Sequence, residues 1–121
     1  MKVDFNQEVN YNINMNQEVQ QEVDKLKELI INAIPVEQIY LFGSYAYGTP
    51  HKDSDLDFYV VLKDDVEMRD LDAGLQIRFA IARSQNMAVD IVAKKKKDFL
   101  NRICDFTLEQ KVTRDGIRIY G

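Results

Sequence analysis

The chain of 121 residues has one cysteine, one histidine, no excess of positive charge and no long apolar run. The lone Cys104 has no partner for an intramolecular disulfide, which fits a reducing compartment. The formal net charge is −4 and the isoelectric point is near 5.0. A protein whose main task is gripping a nucleic-acid duplex is usually basic, because phosphate neutralisation drives that affinity. No stretch reaches the roughly 18 apolar residues that a membrane span requires. Residues 1–20 also lack the apolar core of a signal peptide. A soluble, cytoplasmic protein that does not act on long nucleic acid is expected.

What is present is enough for one core: 45% of the residues are hydrophobic, and the length suits a single domain. Residues 1–18 read as an extended arm, with Val3, Phe5, Val9, Tyr11, Ile13 and Met15 at odd positions. Such an arm is either a poorly ordered terminus or a strand that pairs with a partner or a second copy. Residues 19–121 read as the folded domain. Val19, Val23, Leu26, Ile30 and Ile34 recur at helical spacing, with Asn16 as N-cap and Pro35 as the stop. Residues 36–42 and 55–62 are apolar runs suited to strands. Met68, Leu71, Leu75, Phe79 and Ala82 mark a second helix face, and residues 87–92 a third strand with Asp90 in its middle. Residues 94–112 read as one helix carrying Phe99, Ile103 and Phe106, and residues 117–120 as a terminal strand after the Asp115-Gly116 turn. The predicted class is α/β (α+β): one mixed sheet with helices packed on it.

The chemistry is concentrated in Gly43-Ser44, which is followed after ten residues by Asp55-Leu56-Asp57. Residues two apart on a strand point to one face, so the Asp55 and Asp57 carboxylates share a side while Leu56 enters the core. Two such charges repel by about 1–4 kcal/mol at contact distance, and a divalent cation removes that penalty. Mg²⁺ suits the pair, since it takes hard oxygen ligands and leaves positions for substrate phosphates. Asp90 lies in an apolar, interior-looking strand, where a charge is costly unless paired or metal-bound. If the two strands are neighbours, three carboxylates converge, the ligand set expected for two metal ions. Asp90 could also accept the proton of an attacking hydroxyl. Gly43 lets backbone approach a phosphate closely, and Ser44 opens a turn whose N–H groups and hydroxyl attract anions. Positioning and charge neutralisation are what nucleotidyl transfer chiefly needs.

The segment from Gly43-Ser44 to Asp55-x-Asp57, with Gly48 and Ser54 inside it, resembles the DNA polymerase β-like nucleotidyltransferase superfamily. More narrowly it is similar to the minimal nucleotidyltransferases, which often accompany a HEPN-domain protein in prokaryotic toxin–antitoxin pairs. The resemblance runs from about residue 20 to the terminal Asp-Gly-Ile-Arg-Ile-Tyr. It implies that Gly43 and Ser44 hold the triphosphate, that Asp55 and Asp57 bind the metals, and that Asp90 is the third carboxylate. It further implies transfer of AMP from ATP to a hydroxyl, in the toxin–antitoxin setting a tyrosine of the HEPN-like partner. Many relatives carry a basic residue just before the glycine equivalent to Gly48, whereas this chain has Tyr47. His51, Lys52 or Lys94 to Lys97 are the candidate substitutes for that cation.

Two other functions fit the same residues. A degenerate site would leave a binding module that neutralises its partner by occlusion. A dimer-completed pocket would allow nucleotidyl transfer to a small molecule such as an aminoglycoside. Elsewhere His51 reads as a solvated loop residue, Lys94 to Lys97 as a solvated face and Cys104 as a small packing residue. Tyr45 and Tyr47 either pack on the sheet or stack on a base.

Overall fold

The computed structural model describes residues 17–50, 54–104 and 106–121. Residues 1–16 of the expected arm, Asn16 with its capping role, His51 and Lys52 lie outside them; Gln17 and Glu18, the last two residues expected in the arm, instead open the first helix. Helix α1 (Gln17–Ala33) leads through Pro35 into β1 (Val36–Phe42). A short helix α2 (Ser44–Tyr47) and a loop precede β2 (Leu56–Leu62), then come α3 (Asp70–Ile81) and β3 (Val89–Lys95). Helices α4 (Lys96–Asn101) and α5 (Leu108–Asp115) lead into β4 (Ile117–Tyr120). The four strands form one sheet in the order β3-β2-β1-β4. Strand β1 runs antiparallel to both β2 and β4, and β2 runs parallel to β3. The predicted mixed α/β sheet is therefore the observed one. Because of these directions, the end of β1 and the starts of β2, β3 and β4 meet at one end of the sheet.

Strand β2 decides how the two faces are used. Leu56, Phe58, Val60 and Leu62 point to one side and join Val23, Leu26 and Ile30 of α1 with Ala73, Ile77 and Ile81 of α3 in the main core. Tyr59 and Val61 point to the other side and pack with Phe99 of α4 and Val112 of α5, flanked by Tyr40, Phe42 and Val92. The Tyr59 and Phe99 rings sit 5.2 Å apart, centroid to centroid. Buried on both faces, β2 is the hydrophobic axis of the fold. Asp57 is the exception: the one residue of β2 that is not buried, it lies on the α5 side.

Four expectations need correction. Leu71, Leu75 and Phe79 do not face the core: they are exposed, and the buried stripe of α3 is Ala73, Ile77 and Ile81. Both stripes repeat every four residues, so periodicity alone favoured the bulkier, wrong one. The single helix over residues 94–112 is two. Lys94 and Lys95 still belong to β3, and Thr107 caps a new helix by accepting from the Gln110 amide at 3.0 Å. In the break between them Cys104 is exposed rather than packed, and Phe106 is fully exposed at φ 69°. Finally, β3 is an edge strand, so Asp90 is exposed, not interior. A run of β-branched residues signals a strand but does not say whether it is central.

Candidate active site

Strand β1 ends at Phe42, and the chain turns at once. Gly43 has φ 76° and ψ −164°, a conformation that glycine adopts without strain. A side chain there is excluded twice over, because an added Cβ would lie 2.0 Å from Oδ2 of Asp57. The Asp57 carboxylate thus leans directly over the Gly43 backbone. Ser44 begins the single turn α2, which closes with Gly48 in the left-handed region and the Tyr47 amide donating to Gly43 O at 3.0 Å. Tyr45 packs against the main core and anchors this turn.

The carboxylates approach from two strands. In the parallel ladder Asp57 is the register partner of Asp90, so the two side chains leave the same face of adjacent strands. On the other side Asp57 pairs with Phe42, the last residue before Gly43. Asp55, half-buried, sits one residue ahead of β2. Burial first, then the charges of Asp90 and Asp55 and a hydrogen bond with Asp90, push the Asp57 carboxyl up to about 6. Such crowding of negative charge is unfavourable in the bare protein, and a cation among these groups relieves it. Among the described residues, no three His, Cys, Asp or Glu side chains already close around one point as a finished metal cage. The donors present, all carboxylate oxygens, match a hard divalent ion that keeps part of its shell for phosphates and water. Gly43, Ser44, Asp55, Asp57 and Asp90 are thus all brought to one end of the sheet.

A further cation stands beside this end that the sequence did not reveal. Lys111 of α5 holds its Nζ 4.6 Å from the ring centroid of Tyr47, on α2. Lys111 also pairs with Asp115 at 3.0 Å, as does Arg114 at 2.9 Å. The Arg114 and Lys111 hydrogen bonds hold the Asp115 carboxyl down at about 2. The second anchor of α5 is buried: Tyr59 donates its hydroxyl to Glu109 Oε2 at 2.7 Å. Glu109 Oε1 has no hydrogen bond of good geometry, although Arg102 Nε lies 3.3 Å away as its ion-pair partner.

The lysine cluster lies elsewhere. Lys95 donates to Met68 O at 2.8 Å and pairs with Asp70, and Lys96 pairs with Glu37 at 3.1 Å. Five residues of strand separate Lys95 from Asp90, roughly 17 Å, so these cations serve the far end of the sheet. A cavity of about 610 Å³ between α1 and the loop before β3, lined in part by Glu18, Glu22, Lys25 and Met87, contains none of the site carboxylates.

Comparison with known proteins points the same way. The family model described as a nucleotidyltransferase domain matches residues 13–114. The protein adenylyltransferase MntA of Shewanella oneidensis is 31% identical over 99 residues, which make up 81% of this chain and 64% of MntA. The chain therefore spans a little under two thirds of that relative. A crystal structure of a toxin–antitoxin with AMP-PNP matches at a TM-score of 0.60 and 30% identity, over 81% of this chain and 72% of the other. A mutant of the toxin–antitoxin MntA-HpeT matches at a TM-score of 0.59 and 30% identity, over 82% of this chain and 72% of the other. With strands, glycine turn and acidic residues arranged as described, the chain belongs to the nucleotidyltransferase domain family.

Proposed function

We propose that the chain is a metal-dependent nucleotidyltransferase that moves AMP from ATP to a hydroxyl of a partner protein, acting as the antitoxin of a pair whose toxin is HEPN-like. The observation that carries this reading is the Asp57 carboxylate, set over the Gly43 backbone and beside Asp90 in the parallel register. Phosphate-receiving backbone and charge-bearing oxygens then belong to one site. The likeness to a protein adenylyltransferase and to a toxin–antitoxin with AMP-PNP supports the nucleotide and the kind of partner.

In this reading Gly43 and Ser44 receive the triphosphate, whose approach no Cβ obstructs. Asp55, Asp57 and Asp90 would hold Mg²⁺, two ions by the number of carboxylates, which when bound neutralise the phosphates and lower the pKa of a coordinated hydroxyl. The acceptor oxygen attacks the α-phosphorus, the bond from the α-phosphorus to the bridging oxygen breaks, and pyrophosphate leaves with that electron pair. Asp90, exposed at the sheet edge, would take the hydroxyl proton from an acceptor arriving from outside. An edge location suits a protein acceptor, because a tyrosine on another molecule has to reach it.

The test is to incubate the chain with Mg²⁺, the product of its neighbouring reading frame and ATP labelled at the α-phosphate. Label should appear on the neighbour and vanish with Asp57→Asn. Neutralisation of the toxin without label transfer would favour occlusion instead.

A further inference from the structure

We propose that Lys111 of α5 binds the triphosphate, supplying from another helix the positive charge that α2 lacks. This rests on the nucleotidyltransferase reading above and adds a residue to it.

The case begins with charge. Three carboxylates meet at this end of the sheet, and a nucleoside triphosphate adds about four more negative charges near neutral pH. The turn that would receive it, Ser44-Tyr45-Ala46-Tyr47, is without a cation. Lys95 and Lys96 are turned away, as Asp70 and Glu37 hold them at the opposite end.

Helix α5 is built to fill the gap. It covers the same sheet face from which Asp57 projects, since its Val112 packs with Tyr59 and Val61. Its C-terminal end is pinned where β1 stops: Ile117, two residues past the helix, pairs with Leu41. An added Cβ on Gly116 would lie 3.1 Å from Leu41 O, so α5 closes tightly on the strand that delivers Gly43. Lys111 is four residues before the helix end, roughly 6 Å back along the axis, which sets it over Tyr47. The Tyr47 ring and the Asp115 carboxylate then hold the ammonium from two sides. A lysine with these two partners is fixed in direction yet half-exposed, with donor hydrogens left for a phosphate oxygen. Because Arg114 also pairs with Asp115, the Asp115 charge is shared and the cluster keeps a net positive charge toward α2.

The experiment is calorimetric titration of the full chain with Mg·ATP and, separately, with AMP. A phosphate contact is a charge-assisted hydrogen bond, so Lys111→Met should weaken Mg·ATP by about 10- to 100-fold. AMP, which lacks the outer phosphates, should change by less than about twofold. Lys111→Arg should retain most of the affinity, and adding Tyr47→Arg to Lys111→Met should restore it. Lys111→Gln, with a polar side chain of similar length, serves as the second uncharged variant should Lys111→Met fold poorly. Mg·ATP affinity unchanged in both uncharged variants, or equal loss of ATP and AMP, would overturn the role of Lys111 while leaving the site intact. A wild-type chain that binds no Mg·ATP would instead remove the nucleotidyltransferase reading, and this inference with it.

Discussion

At the scale of single residues, Gly43 and Asp57 define each other's place. Gly43 holds a positive φ and also leaves room for the Asp57 carboxylate, so Gly43→Ala faces both strain and a clash. A cost of about 1–3 kcal/mol is expected from the backbone alone, read as a shift of the urea midpoint. Nucleotide binding should fall further than stability does, because the carboxylate must move to make room. These residues were legible in the sequence because glycine, serine and paired aspartates at fixed spacing have few structural reasons to occur together. The side-by-side placement of Asp57 and Asp90 was foreseen only as a condition, that two strands be neighbours; the parallel register fulfils it. Lys111 was not legible. It stands more than 60 positions beyond Tyr47 in the chain, and only the packing of α5 brings the two together.

Among the elements, α3 and α5 carry the clearest consequences. Helix α3 has two apolar stripes at the same four-residue spacing, of which only the smaller-volume one, led by Ala73, is buried. Ile77→Ala should therefore cost about 2–5 kcal/mol, as a core truncation does. Phe79→Gln, at a position 87% exposed, should change stability by less than about 0.5 kcal/mol. Thermal melts of the two variants would separate them, and equal losses would contradict the assignment of faces. The sequence could not make this distinction, since period gives the spacing of a face but not its partner. Helix α5 is tied to β2 through Glu109, 2% exposed. Burial alone would raise its carboxyl, but hydrogen bonds from Tyr59 and its own backbone, with the ion pair to Arg102, outweigh that and hold it below its usual value of 4.5. A carboxyl lowered in the fold contributes stability that is present above about pH 4.5 and is lost as pH falls through the folded value. Tyr59→Phe removes one of those bonds and should destabilise the chain by about 1–3 kcal/mol at pH 7. The gap to wild type should narrow in urea titrations run below pH 4.5. A gap that stays constant with pH would mean the Tyr59 hydroxyl does not act through the Glu109 charge.

For the molecule as a whole, strand direction does the organising. One sheet end gathers the finish of β1 and the beginnings of β2, β3 and β4, and so collects the glycine turn, three aspartates and the end of α5. The carboxylates are clustered at some cost to the bare fold, as the raised Asp57 shows. The most direct measurement is a crystal structure of the chain grown with Mg²⁺ and a non-hydrolysable ATP analogue. The account predicts metal ligated by Asp55, Asp57 and Asp90, and phosphates against Gly43 and Ser44. Nucleotide seated elsewhere, such as in the cavity beside α1, with the three aspartates free of metal, would contradict it.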